Sequence, residues 1–290
     1  MLFQQIVNGL SLGSIYALFA IGFTLVFGIL RLMNFSHGDV FMFGTFISFT
    51  LLNTLNLGFL VAALVALAVG GVLGMAVEIL AFRPIREEGT TVAFVSAFGA
   101  AWIIRNGAQI FWGFRTYSYP SMFELKFISF WGVQISLVNF LTLVLATICI
   151  VVFNIFLRYH KVGKAIRCLA QSIPVSSLMG IQINKTISMV YAIGGILGVA
   201  GGMLYASSYN FICISIGFWG LMKGFIAAVV GGFGNLNGAL LGGVVLGLVE
   251  SLAGSYISSA YRDAISLLML ILILVFRPNG LLGKKEIEKI

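Results

Sequence analysis

Residues 8–39 read NGLSLGSIYALFAIGFTLVFGILRLMNFSHGD. The apolar run around them, 5–30, exceeds the roughly 20 residues that a bilayer-spanning helix needs, and no Lys or Arg precedes Arg31. A cleaved signal peptide would want a positive start and a shorter apolar core. The run is therefore expected to be a permanent span.

Working outward, the same texture recurs along the chain. Of 290 residues, 60% are hydrophobic and 9% charged, against about a quarter charged in a soluble domain. A soluble fold of this length could not cover itself with so few charges, so the bilayer is the expected solvent. Further apolar runs lie near 37–55, 57–80, 90–112, 135–158, 186–208, 212–232, 237–256 and 263–277. The expectation is an all-α polytopic transmembrane helix bundle of about eight to nine spans, one domain over 1–290. Arg105 in the fourth run, and Lys223 with several glycines in the seventh, leave each of those open to being a broken or re-entrant helix.

The net charge of +8 would suggest nucleic acid in a soluble protein, but here the basic residues occupy the gaps between runs. If all nine runs cross, one face holds twelve of them, among them Arg31, Arg83, Arg86, Arg158 and Lys284, and the other holds Arg115, Lys126 and Arg262. The positive-inside rule then places the N-terminus outside and the C-terminus in the cytoplasm. This leaves an exterior loop at about 113–134 and one long interior segment, 158–185.

Glycine, at 35 residues, recurs every fourth position at Gly194, Gly198 and Gly202, at Gly70 and Gly74, and at Gly238 and Gly242. That spacing builds a smooth stripe on which a neighbouring helix can pack closely. The cluster Gly231, Gly232, Gly234, Asn235 is too glycine-rich for continuous helix. Opened backbone at membrane depth belongs inside protein or beside a watery path.

Few polar residues lie in the spans. Asn34, Ser36, His37 and Asp39 open the second run, where helix capping is the simpler account and the inner mouth of a pathway the functional one. Glu78 lies near Arg83 and reads as an interfacial charge. Glu250 sits deep in the eighth run, where an acid calls for a partner, with Lys223 and Arg105 as candidates. Cys149, Cys168 and Cys213 are too scattered for a disulfide framework or metal site. No nucleophile elbow or HExxH occurs, the two histidines give little material for catalysis, and no Walker A motif is present. ATP, if used, must be bound by another chain.

The interior segment reads RYHKVGKAIRCLAQSIPVSSLMGIQINK. Lys164 and Arg167 fall on one side of a helix, and Ile166, Leu169 and Ala170 on the other. Pro174 should interrupt it, and Gly180 can end the second piece. Such a helix could lie on anionic lipid or dock into the groove of a cytosolic partner.

These stretches together resemble the LivH-type permeases of branched-chain amino acid ABC importers over nearly the whole chain. The likeness is carried by 8–39, by EILAFRPIR at 78–86, by 163–181, by GGFGNLNGALLGG at 231–243 before Leu248-Val249-Glu250, and by FRPNGLLG at 276–283. Where the family's cytosolic segment usually places an acid, a variable residue and another acid, this chain has Ser172, Ile173 and Pro174. The resemblance implies a bundle like the larger importer permeases of the vitamin B12 type, in a bacterial cytoplasmic (inner) membrane. It implies a second related permease, two cytosolic ATPase subunits and a periplasmic or lipid-anchored substrate-binding protein as partners, leucine, isoleucine and valine as cargo, and no cofactor. It makes Lys164, Ile166, Arg167, Leu169, Ala170, Gln171, Leu178 and Gly180 the expected ATPase-coupling residues. From the polar and glycine-rich character described above, Asn34, Ser36, His37, Asp39, Gly231, Gly232, Gly234 and Asn235 are the expected pathway or gate. A secondary transporter or channel for a small polar solute shares the hydropathy, but should show internal repeats or a charged relay. A membrane-embedded enzyme would need clustered acids, and Asp39, Glu78 and Glu250 are far apart in sequence.

Overall fold

The computed structural model describes residues 2–86, 88–120, 127–130 and 133–283. The middle of the expected exterior loop, with Lys126, and the terminal Lys284, Lys285 and Lys289 lie outside the described residues.

Among the described residues, nine helices follow the nine apolar runs: α1 (Leu2–Leu30), α2 (His37–Asn53), α3 (Phe59–Val77), α4 (Thr90–Trp112), α5 (Leu137–Tyr159), α8 (Ile183–Tyr209), α9 (Ile216–Gly231), α10 (Leu236–Tyr256) and α11 (Arg262–Phe276). The interior segment supplies two short ones, α6 (Lys161–Gln171) and α7 (Ile173–Leu178). Among the described residues, six helices are both long and apolar enough to cross a membrane. Of the others, α2 and α9 have 17 and 16 residues, so α9 rises only about 24 Å, short of a hydrocarbon core of roughly 30 Å. Both helices suspected of being broken, α4 and α9, run without interruption.

The burial of each helix follows from its surroundings. α1 is apolar on all sides and enclosed over most of its length, packing on α5, α8, α9 and α10. A helix that is hydrophobic all round belongs in the centre of such a bundle. α11 buries almost nothing within the chain. The glycine stripes are packing surfaces, as their spacing suggests. A Cβ on Gly74 would stand 2.3 Å from the Tyr191 carbonyl oxygen, and one on Gly247 would stand 2.2 Å from the Gly13 nitrogen. Helix backbones in apolar surroundings gain dispersion contacts by approaching this closely.

At one end, short strands interrupt the otherwise helical chain. β1 (Tyr117–Ser118) pairs antiparallel with β4 (Phe211–Ile212), and β2 (Phe127–Phe130) with β3 (Val133–Ser136). The aromatic and β-branched residues here suit a pleated ladder better than a helix. The β1–β4 ladder ties the chain after α4 to the chain after α8. Beneath it the buried Tyr119 hydroxyl shares a 2.8 Å hydrogen bond with Ser48.

Two turns at the opposite end have clear chemical causes. α6 stops at Gln171, and Ser172 caps α7, its side-chain oxygen accepting from the Val175 amide. Pro174 then sits in the first turn of α7, where its missing N–H costs nothing. Ser172, Ile173 and Pro174 thus build a sharp helix restart. α9 ends at Gly232, whose φ of +114° favours glycine. The carbonyls of Val230 and Gly231, left free by the end of the helix, accept from the amides of Leu281 and Leu282 at 2.8 and 2.9 Å. The FRPNGLLG stretch therefore folds back as a cap on α9.

Candidate functional site

Three buried charge clusters cross-link the bundle. In the first, Lys223 of α9 donates to a Glu250 carboxylate oxygen on α10, and to Asp263 of α11 at 2.7 Å. The other Glu250 oxygen accepts from the Tyr16 hydroxyl of α1 at 2.7 Å, and Ser266 of α11 also donates to Glu250. Glu250 and Lys223 are 2% and 6% exposed, so each charge at this depth needs a partner of opposite sign. Of the two partners offered by the sequence, the structure selects Lys223. Tyr16, Asp263 and Ser266 were not singled out. The available signal was the Asp263–Ser266 spacing of three, which puts both on one face of a helix.

In the second cluster, Arg105 of α4 grips Asp39 of α2 with two hydrogen bonds, 2.9 and 3.1 Å long. This corrects the capping account. Asp39 is held by a guanidinium, and the Ser36 hydroxyl donates to the Asn34 side chain at 2.6 Å instead of capping α2. The bidentate fork outcompetes a free amide because both its ends are charged. His37 opens the same helix, its ring against Gly22 and Gly198, with Nε2 buried and unpartnered.

The third cluster corrects another expectation. Glu78 is fully buried, not interfacial, and accepts from Arg83 at 2.8 Å and Arg86 at 2.6 Å, with Ser188 of α8 donating at 2.6 Å. A π-turn at Glu78–Phe82 precedes the two arginines. The spacing Glu78, Arg83, Arg86 wraps both cations back onto one acid.

The glycine element and the interior segment meet in one place. A cleft of about 1320 Å³ at the end of the bundle opposite the β1–β4 ladder is lined by Gly28 of α1, Arg158 of α5, Ile166, Arg167, Ala170 and Gln171 of α6, and Gly234 and Asn235. Asn235 caps α10, accepting from the Asn237 and Gly238 amides, and donates to the Leu282 carbonyl. Gly232 is packed under the terminal segment, whereas a Cβ on Gly234 would meet only the Gly28 Cα, at 3.8 Å.

α6 is oriented opposite to the docking expectation. Ile166 and Leu169 are 2% and 1% exposed and point into the bundle, where α6 packs on α5, α1 and α8. Their apolar face is satisfied within this chain, so it has nothing left to offer a partner. Lys164, Arg167, Ala170 and Gln171 face outward, and the exposed apolar surface belongs to α7 and the turn after it, where Leu178 is 87% and Met179 77% exposed. Gly180 closes that turn at a φ of +77°.

Residues 5–274 match the family described as "Branched-chain amino acid transport system / permease component". The chain belongs to that permease family. It is 36% identical to the high-affinity branched-chain amino acid transport system permease protein LivH of Escherichia coli K12, over 99% of this chain and 97% of that one. It is 34% identical to the corresponding protein BraD of Pseudomonas aeruginosa, with the same coverage. Among solved structures, a chain of PsaBC from Streptococcus pneumoniae, in complex with Fab, superposes with a TM-score of 0.51 at 13% identity, covering 94% of this chain and 91% of that one. That likeness bears on the fold alone. The family's members are membrane-embedded transport subunits, and the all-α bundle with several spans is the fold expected of one.

Proposed function

We propose that this chain is a membrane-spanning permease subunit of an ATP-driven importer, carrying leucine, isoleucine and valine across the bacterial cytoplasmic membrane. Near-full-length similarity to LivH and BraD supports that cargo. The ATPases and substrate-binding protein are separate subunits, and a second related permease completes the pathway. The N-terminus lies outside, so α6, α7 and the cleft face the cytoplasm, in keeping with the clustering of Arg and Lys there.

The observation that carries the coupling role is the mounting of α6–α7. α6 is anchored through Ile166 and Leu169, and it holds α7 out with Val175, Leu178 and Met179 exposed. An apolar tip on a rigid base suits insertion into a groove of an ATPase, and motion of the ATPases then changes which side the pathway opens to. Anchor residues that fill a partner's pocket cost at least about 2 kcal/mol when lost. Leu178→Asp is therefore expected to release the ATPase from the purified complex and to abolish substrate-stimulated ATP hydrolysis. Wild-type retention and hydrolysis in that variant would refute docking through α7.

A further inference from the structure

The charge network around Glu250 borders a second cavity, which the coupling reading does not use. It has a volume of about 360 Å³ and lies beside α9, α10 and the start of α11, with Tyr16, Tyr209, Phe211 and Trp219 among its walls and Lys223, Glu250, Arg262 and Asp263 at its margin. Its volume is within the range of about 300–1,000 Å³ typical of small-molecule sites, which likewise combine apolar walls with a few placed polar groups. Phe211 belongs to β4, so the cavity lies toward the β1–β4 end, away from the cleft that holds α6.

Two groups at the margin have unused capacity. The Asp263 side chain is 56% exposed while accepting from Lys223, and a carboxylate has lone pairs for several donors. Arg262 lies across Gly254, and its Nε is buried without a hydrogen-bond partner. An acid and a guanidinium adjacent in sequence thus stand at one mouth, with aromatic walls below. Lys223 and Glu250 neutralise each other on the floor, so the site offers one anchor of each sign and little net charge.

We infer that this cavity is a transient site for the zwitterionic cargo on its way through the permease. Asp263 receives the α-ammonium, Arg262 the carboxylate, and the aromatic wall at Trp219 the aliphatic side chain. Paired anchors of opposite sign select an α-amino acid over a simple anion or cation, and the aromatic wall favours a large aliphatic side chain over a small one. The inference rests on the amino-acid importer reading and adds where within this subunit the cargo is held.

The test uses the complete importer in proteoliposomes, with uptake of leucine and alanine measured against the concentration of loaded binding protein. Losing a hydrogen bond to a charged group is expected to slow leucine uptake at saturation by about tenfold or more in Asp263→Asn and Arg262→Gln. The KM for loaded binding protein should stay unchanged, because the proposed contacts are with the cargo itself. Trp219→Ala, on a half-exposed surface where folding is least at risk, should lower the leucine-to-alanine ratio. Uptake rates and ratio equal to wild type in all three variants would overturn the site while leaving the importer reading intact, as would an increase in KM alone. A wild-type complex that moves no neutral amino acid would overturn the importer reading, and this inference with it.

Discussion

Truncating Glu250 to alanine isolates the energetic role of the buried network. The carboxylate accepts from Lys223, Tyr16 and Ser266 at once, and both charged partners are almost wholly enclosed. Removing one member of a buried ion pair costs about 3–5 kcal/mol, because it strands the other charge. Asp263 remains 2.7 Å from Lys223, which places this case at the lower end, near 3 kcal/mol. The Tyr16 hydroxyl, buried without an acceptor, adds about 1 kcal/mol. The expected loss for Glu250→Ala is thus roughly 3–4 kcal/mol. Glu250→Gln keeps an acceptor for Tyr16 and should lose less. A double replacement, Glu250→Leu with Lys223→Met, removes both charges and should recover most of the loss. The assay is a denaturant titration of the detergent-purified protein, read as fluorescence of its tryptophans. A Glu250→Ala protein within about 0.5 kcal/mol of wild type, the scatter of ordinary surface changes, would refute the reasoning. A double variant no better than Glu250→Ala would also refute it.

Two further predictions concern the ends of the bundle. A Cβ at Gly232 would lie 2.6 Å from the Gly283 nitrogen on a φ of +114°, so Gly232→Val should expel the terminal segment and speed chymotryptic cleavage after Leu281 and Leu282. Gly234→Asn should leave that rate unchanged, since asparagine tolerates positive φ and the nearest atom to a Cβ there is 3.8 Å away. For the topology, Cys168 is exposed on α6. With Cys149 and Cys213 replaced by alanine, a membrane-impermeant maleimide should reach Cys168 only from the cytoplasmic side. A cysteine at Thr116 in the same background should be reached only from outside, and labelling of both from one side would overturn the assignment.

Much of the fold was legible because the bilayer reduces sequence to one question, whether a run is apolar and long enough. All nine runs became helices, and the glycine spacing marked real packing surfaces. Partner choice was not legible. Glu250 could be matched to Lys223 or Arg105 by charge, and only the placement of α4 beside α2 gives Arg105 to Asp39. The orientation of α6 was misread for a related reason. Periodicity finds an apolar face but not what covers it, and Ile166 and Leu169 are as well explained by their own bundle as by a partner. Leu178, isolated after Pro174, carried no periodic signal, yet it is the most exposed apolar side chain in that segment.

α1 joins the two ends of the molecule. Gly28 lines the cleft shared with α6, while Tyr16 and Phe19 line the cavity bordered by Glu250. Tyr16 and Gly28 are twelve positions apart, or about 18 Å along one rigid helix. α6 cannot slide freely on α5, because at Gly163 a Cβ would already stand 2.5 Å from the Leu157 Cα. A push delivered at α7 therefore moves α6 and α5 together, and both rest on α1. α1 is in turn locked to α10 by backbone contact at Gly13 and Gly247, so it carries Glu250 with it. A seam that cannot shear transmits displacement instead of absorbing it. On the importer reading proposed above, such a seam is expected to carry ATPase motion from α7 to the charged cavity at the other end.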